Sequence, residues 1–173
     1  MNNGQKQTLA ALQKAIQMEI DGKQYYQKLS KTFKNESGRK LFAILAEEED
    51  RHQQNFEQIY HAIEAKAKWP EIKIGTSQAN TSTNLFSQFP YGQTQASASE
   101  LKSVQIAIEM ENKTLDYYLA SADKASYLVE KQYYEALVQQ ERTHQYLLLE
   151  YFEFLKDPAQ WFTIKEHQSL DGG

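Results

Sequence analysis

Apolar side chains recur along the chain at alternating intervals of three and four residues, which is the period of one face of an α-helix. Four such rows are separated by polar segments, and all three prolines lie outside them. The pattern therefore predicts an all-α protein made of four long amphipathic helices. The rows run from Leu9 to Phe33, from Phe42 to Ile63, from Leu101 to Ala125 and from Tyr134 to Leu155.

The connections between the rows differ in length, and this difference predicts how the helices are joined. Polar residues 34–37 and Gly38 break the first two helices, and residues 124–128 form the turn between the last two. A polar stretch from Trp69 to Ser99 separates the second row from the third, and Ser97 with Glu100 predicts a capping box at its end. Two short turns around one long crossover predict a four-helix bundle of the crossover type.

The predicted organisation is one domain over residues 1–173 with an internal pseudo-twofold repeat. It comprises helical hairpins at about 5–66 and 97–156, a crossover at about 67–96 and a C-terminal tail at 157–173. Within the crossover, Phe86, Phe89 and Tyr91 are expected to pack on the bundle. For residues 76–84, a mobile polar linker is an equal alternative.

Composition agrees with this prediction and excludes several classes of function. Only 7 glycines and 3 prolines occur in 173 residues, and there is no cysteine for disulfides, thiolate catalysis or cysteine-bound metals. A net charge of −4 indicates no nucleic-acid partner and no anionic membrane surface. No segment has the apolar length of a signal sequence or a membrane span, so a cytoplasmic protein is expected.

The apolar rows contain six residues that are costly to bury in a hydrophobic core. A Glu-x-x-His motif lies on the second and fourth rows, and a single glutamate lies on the first and third. Four carboxylates and two imidazoles are stable there only if something neutralises and ligates them, and two divalent cations do both. The candidate metal ligands are Glu19, Glu49, His52, Glu111, Glu141 and His144.

A repeat in the sequence relates these residues in pairs. Residues 9–69 align with 101–161 without a gap and share 14 of 61 positions, whereas composition alone would give about 4. Each candidate ligand of the first half has its partner 92 residues later. Pseudo-twofold symmetry would bring all six together at mid-bundle. The alignment selects Glu111 over Glu109, which is predicted to face solvent.

The spacing also indicates which metals suit the site. Residues three apart are neighbours on one helix face, so the glutamate and histidine of each motif can reach one ion. Carboxylates with imidazole favour iron or manganese, and zinc or cobalt would also fit. A single Glu-x-x-His is usually an exposed polar pair, but two on core rows predict a metal site. Only Glu49 of the acidic run 47–50 is expected to turn inward, and His61 and His167 are expected at the surface.

Two tyrosines lie on the same helix faces as the single glutamates. Tyr26 and Tyr118 follow Glu19 and Glu111 by seven residues, which is two helical turns. Their hydroxyls are predicted to hydrogen-bond ligand carboxylates as a second layer around the metals. The alternative is that both rings only fill the core, with each hydroxyl finding any partner.

Together these residues resemble the rubrerythrin branch of the ferritin-like superfamily. The resemblance covers nearly the whole chain, including both Tyr-Tyr pairs and the tail from Asp157 to Gly173. It implies a ferritin-like four-helix bundle whose di-iron centre reduces hydrogen peroxide or dioxygen, or oxidises Fe(II). It also implies that Glu49 and Glu141 bridge the metals, with terminal ligands Glu19, Glu111, His52 and His144.

Two departures from the family pattern bear on the reaction. Rubrerythrins carry a rubredoxin-type domain with four cysteines, so the lack of cysteine here implies a separate electron-donor protein. They also carry a further carboxylate one turn after the helix-three ligand, where this chain has Thr114 and, in the repeat, Gly22. The resemblance therefore implies an oxidoreductase with two iron or manganese ions, commonly a homodimer. The alternatives are an iron-binding, ferroxidase-type or storage protein and a structural bundle with inert zinc.

Overall fold

In a computed structural model, the described residues are 3–66, 68–70, 72 and 96–170, and they form five α-helices. No strand occurs among these residues, so the prediction of an all-α bundle is confirmed. Phe86, Phe89, Tyr91 and the linker at 76–84 lie outside the described residues. The helices are α1 (Asn3–Thr32), α2 (Glu36–Lys66), α3 (Ala98–Lys124), α4 (Leu128–Lys156) and α5 (Pro158–Leu170).

Helices α1 and α2 pack as one hairpin, and α3 and α4 as a second. Tyr25 Oη donates to the Ser103 carbonyl, and Tyr117 Oη donates to the Ala11 carbonyl, so α1 and α3 are antiparallel. Helices α2 and α3 consequently run in the same direction. The chain between them has to return along the bundle, which is why this connection is the long one.

The hydrophobic core consists of two clusters with a polar layer between them. One cluster includes Tyr26, Phe42 and Tyr151, and the other includes Phe56, Tyr118 and Tyr134. Every residue predicted on the α2 and α4 rows is buried, including the glutamate and histidine of each motif. The helical period thus locates the core correctly and places the polar layer at mid-helix, with apolar packing on either side.

The chain beyond α4 differs from the sequence prediction, which placed Pro158 outside the helices. Pro158 is the first residue of α5, and Asp157 Oδ1 accepts a hydrogen bond from the Gln160 backbone N–H at 3.0 Å. Proline suits the first helical position because its missing N–H would have had no partner there. Trp161 packs edge-on against Phe154, with ring centroids 5.7 Å apart, so α5 covers the end of the first cluster.

Hydrogen bonds from nearby side chains stabilise the start of α3 and the turn between α1 and α2. The predicted capping box at the start of α3 is confirmed, with Ser97 accepting from the Glu100 N–H and Glu100 accepting from the Ser97 N–H. The break between α1 and α2 is shorter than predicted, because Gly38 lies inside the first turns of α2. Arg39 Nη1 donates to the carbonyls of Phe33 and Lys34 and so stabilises the turn between α1 and α2.

Two buried glycines predict opposite responses to alanine. A Cβ at Gly38 would overlap the Tyr151 hydroxyl and lie 2.7 Å from Phe33 Cδ1, so Gly38→Ala should destabilise the fold by about 1–3 kcal/mol. A Cβ at Gly22 would lie 3.5 Å from Glu49 Oε2, an ordinary contact, so Gly22→Ala should gain up to about 1 kcal/mol of helix propensity. Thermal unfolding of the metal-free variants measures both, and a Gly38→Ala protein as stable as Gly22→Ala would contradict the packing.

Candidate metal centre

Six polar side chains from four helices converge in the layer between the two core clusters. Single glutamates come from α1 and α3, and a glutamate with a histidine comes from each of α2 and α4. None of the six is more than 4% exposed, so water does not solvate their charges. These residues are the predicted ligands Glu19, Glu49, His52, Glu111, Glu141 and His144.

Their ligand atoms form two overlapping groups, each of which can hold one cation. Within each group the atoms lie within 4.8 Å of one another. Both groups contain Glu49 and Glu141, so these two carboxylates are placed to be shared between two ions. The first group adds Glu19 and His52, and the second adds Glu111 and His144.

Both imidazoles point the same ring nitrogen at the carboxylates. His52 Nδ1 lies 3.1 Å from Glu141 Oε1 and 3.4 Å from Glu19 Oε2. His144 Nδ1 lies 3.1 Å from Glu49 Oε1 and 3.2 Å from Glu141 Oε2. The centroids of the two rings are 5.8 Å apart, and the ring planes are inclined by 21°. Nδ1 is therefore the nitrogen available to a metal in each half.

The centre contains buried polar atoms that make no well-aligned hydrogen bond, although the imidazole nitrogens and carboxylate oxygens lie within ion-pair distance of one another. Buried polar atoms are nearly always hydrogen-bonded, so a group of orphans at one place needs an explanation. A pair of divalent cations provides one, because carboxylate oxygens and neutral imidazole nitrogens are metal ligands. The orphaned atoms are Glu19 Oε2, Glu49 Oε1, His52 Nδ1, His144 Nδ1 and both carboxylate oxygens of Glu141.

The electrostatics of the metal-free centre lead to the same conclusion. Burial raises the pKa of Glu19 and Glu111 well above its ordinary value, and neighbouring carboxylates raise it further. Burial alone would lower the pKa of His52 and His144, but the carboxylates outweigh it and raise both. The two imidazoles in turn hold the Glu141 pKa below its ordinary range, against the effect of burial. Protons thus supply the positive charge that cations would otherwise bring.

Each predicted tyrosine donates to a candidate ligand from the other half of the repeat. Tyr26 Oη donates to Glu111 Oε1, and Tyr118 Oη donates to Glu19 Oε1. Burial, and then the charges of Glu111 and Glu49, raise the Tyr26 pKa well above its ordinary value, so this phenol keeps its proton and remains a donor. Each hydroxyl therefore holds one carboxylate oxygen of α1 or α3, and in Glu19 the second oxygen, Oε2, faces His52 Nδ1 at 3.4 Å.

Removing these hydroxyls should weaken metal binding. We expect Tyr26→Phe and Tyr118→Phe each to lower metal affinity about 10–100-fold, because an outer hydrogen bond that orients a ligand carboxylate is lost. The adjacent tyrosines give matched controls, since Tyr25 and Tyr117 donate to backbone carbonyls away from the centre. Zn(II) titration against a chromophoric chelator measures the effect. Equal losses in Tyr25→Phe and Tyr26→Phe would contradict an orienting role.

Sequence reasoning missed two residues beside the histidines. Glu48 was expected in solvent with most of its acidic run, but it is 1% exposed, and its Oε2 lies 2.7 Å from His144 Nε2. Its repeat partner Gln140 places Oε1 2.6 Å from His52 Nε2. The sequence signal was a polar residue directly before the motif glutamate in both halves, four residues before each histidine. Helical periodicity alone assigns that position to the flank of the apolar row.

Other sequence predictions lie around the centre. Glu109 is exposed, as predicted, and so is His61, while the side chain of His167 lies outside the described residues. Thr114 is half-buried one turn after Glu111. No helix in the described part of the chain has both the length and the apolar character needed to cross a membrane.

The fold and this centre define a class: four-helix carboxylate proteins in which Glu-x-x-His motifs and single glutamates face a shared core site for two metals. The family model for Rubrerythrin matches residues 10–152, so the chain belongs to the rubrerythrin family. Members of this family bind di-iron centres, and the buried carboxylate–histidine cluster here is able to hold metal. No significant match was found among curated proteins or among solved structures.

Proposed function

We propose that this protein is an oxidoreductase with two iron or manganese ions that reduces hydrogen peroxide or dioxygen. The observation that carries the proposal is the pair of overlapping ligand groups with their orphaned, buried donor atoms. Two sharing carboxylates suit a dinuclear centre, since one carboxylate can offer an oxygen to each ion. When bound, the ions would supply the redox electrons and polarise the oxidant.

In this proposal the residues hold, orient and isolate the ions. Glu49 and Glu141 would each offer an oxygen to both ions, because each belongs to both groups. The clusters at either end of the bundle keep bulk water from the layer, which strengthens every charge interaction within it. The terminal ligands are Glu19, Glu111, His52 and His144.

Turnover in this proposal depends on an external partner. Reduction of one hydrogen peroxide to two waters consumes two electrons and two protons. The 173 residues contain no cysteine for a rubredoxin-type centre, so in this proposal the electrons come from a donor outside these residues. Thr114 and Gly22 offer no carboxylate one turn after Glu111 and Glu19, so the proposed cycle involves no ligand exchange at those positions.

Stopped-flow mixing of the Fe(II)-loaded protein with hydrogen peroxide tests the reaction. We expect oxidation of the bound iron much faster than that of free Fe(II) under the same conditions, followed by return to Fe(II) with a chemical reductant. Oxidation no faster than free Fe(II) would rule the proposed reaction out. Uptake of many irons per chain, together with a large assembly on size-exclusion chromatography, would instead favour storage. A monomer or homodimer with two irons per chain favours the oxidoreductase.

A further inference from the structure

The two halves of the centre differ at the atoms behind the histidines. Each histidine directs Nδ1 toward the carboxylates, so when Nδ1 binds a cation, Nε2 carries the ring proton and donates outward. His144 Nε2 meets the carboxylate of Glu48 at 2.7 Å, whereas His52 Nε2 meets the amide oxygen of Gln140 at 2.6 Å. The two contacts have similar lengths, but one partner is a carboxylate and the other is a neutral amide.

Two contacts hold the Glu48 carboxylate in place. Arg51 Nη2 lies 3.1 Å from Glu48 Oε1, while Oε2 faces His144, so both carboxylate oxygens have partners. Arg51 is 44% exposed and Glu48 is 1% exposed, so water screens the guanidinium more than it screens the carboxylate. At the repeat-related position Arg51 is replaced by Thr143, whose hydroxyl donates to the Gln139 carbonyl. The two halves therefore differ both in the residue that contacts the histidine and in the residue that holds it in place.

An anionic acceptor changes what the imidazole offers to a metal. A hydrogen bond to a carboxylate is roughly twice as strong as one to a neutral amide. It draws the Nε2 proton away from the ring and raises the electron density at Nδ1, which makes the nitrogen a stronger ligand. The buried negative charge also attracts a cation through surroundings of low dielectric constant. Gln140 gives His52 orientation without this added charge.

We propose that Glu48 makes the two metal positions unequal, so that the position formed with His144 binds a divalent cation more tightly and fills before the position formed with His52. Glu48 acts through His144 and is a positioning residue, not a ligand. The inference rests on the proposed dinuclear centre. It adds an order of loading, which the near-symmetry of the six ligands does not itself provide.

Exchange of the two acceptors tests this order with nearly isosteric variants. Full-length metal-free protein is titrated with Zn(II) against a chromophoric chelator, which gives two stepwise constants. After correction for the statistical factor of two identical sites, we expect unequal constants in the unaltered protein. Glu48→Gln should weaken the tighter binding step about 10–100-fold, and Gln140→Glu should strengthen the weaker step by a similar factor. His144→Ala should remove the tighter step and His52→Ala the weaker step, which assigns each constant to its position.

Spectra and stability separate this role from a purely structural one. With Co(II) as the probe, Glu48→Gln should alter the visible absorption of the first equivalent, and Gln140→Glu that of the second. Constants that are equal after statistical correction in the unaltered protein would overturn the inference. Two results for Glu48→Gln would also overturn it. Either both binding constants stay unchanged, or both fall together with the unfolding temperature. Unaltered protein that binds no Zn(II) or Co(II) would instead refute the dinuclear centre on which the inference rests.

Discussion

Replacing Glu141 with glutamine is expected to abolish the binding of both metal ions. Glu141 is fully buried, and its two oxygens lie 3.1 Å from His52 Nδ1 and 3.2 Å from His144 Nδ1. It belongs to both ligand groups, so one substitution removes a negatively charged donor from each. An amide retains the volume but offers only one weakly donating oxygen. No other single residue except Glu49 is shared in this way among the described groups.

Two other glutamates provide graded controls for this substitution. Glu19→Gln changes only the group with His52 and should leave one ion bound. Glu109→Gln lies on the exposed face of α3 and should leave both. Each protein is loaded anaerobically with Fe(II), desalted and analysed for iron, and circular dichroism checks that the helices are intact. A folded Glu141→Gln protein that retained two irons would exclude Glu141 as a bridging ligand.

The sequence was sufficient to predict the centre because it is built from regular helices. Period 3.6 places Glu49 and His52 on one face, and the 92-residue offset relates them to Glu141 and His144. No long-range contact had to be assumed, because a pseudo-twofold axis between two equivalent hairpins brings their mid-helix residues together. The prediction of a common site therefore follows directly from the prediction of two equivalent helical hairpins.

What periodicity could not supply was the partner of a side chain on another helix. Tyr26 lies on the face of Glu19 but donates to Glu111, because the antiparallel packing of α1 on α3 crosses the two halves. Glu48 looked solvent-facing because its burial comes from α4, which the pattern of α2 alone does not reveal. The helix beginning at Pro158 was missed because proline was taken only as a helix breaker, although Asp157 before it is a good cap.

In the absence of metal, the protein is expected to lose stability as the pH rises from 6 to 8. Glu19 and Glu111 have pKa values well above the ordinary 4.5, and His52 and His144 have values well above the ordinary 6.5. A raised pKa means that the folded state binds more protons than the unfolded state, so raising the pH favours unfolding. Glu141 has a lowered pKa, so its contribution is lost only in acid and stays constant across this window.

The expected size follows from proton linkage. Each extra proton held by the folded state lowers the free energy of unfolding by about 1.4 kcal/mol for every unit of pH increase. One such proton therefore lowers it by roughly 3 kcal/mol between pH 6 and 8. For a chain of this length that corresponds to a fall in Tm of about 5–10 °C, measured in chelator by thermal denaturation. Glu111→Gln removes one of the titrating groups and should flatten the dependence. A metal-free protein whose Tm rose over this range would contradict the protonated centre.

Metal should reverse this dependence, because ions and protons compete for the same atoms. A bound cation requires ionised carboxylates and neutral Nδ1 nitrogens, so binding releases the protons that the centre holds and affinity increases with pH. At free ion about 100 times Kd, two sites would add about 5 kcal/mol and raise Tm by roughly 10–20 °C. This gain should be larger at pH 8 than at pH 6. Calorimetry in buffers of different ionisation enthalpy counts the released protons directly, and binding without proton release would show that the six side chains are not the ligands.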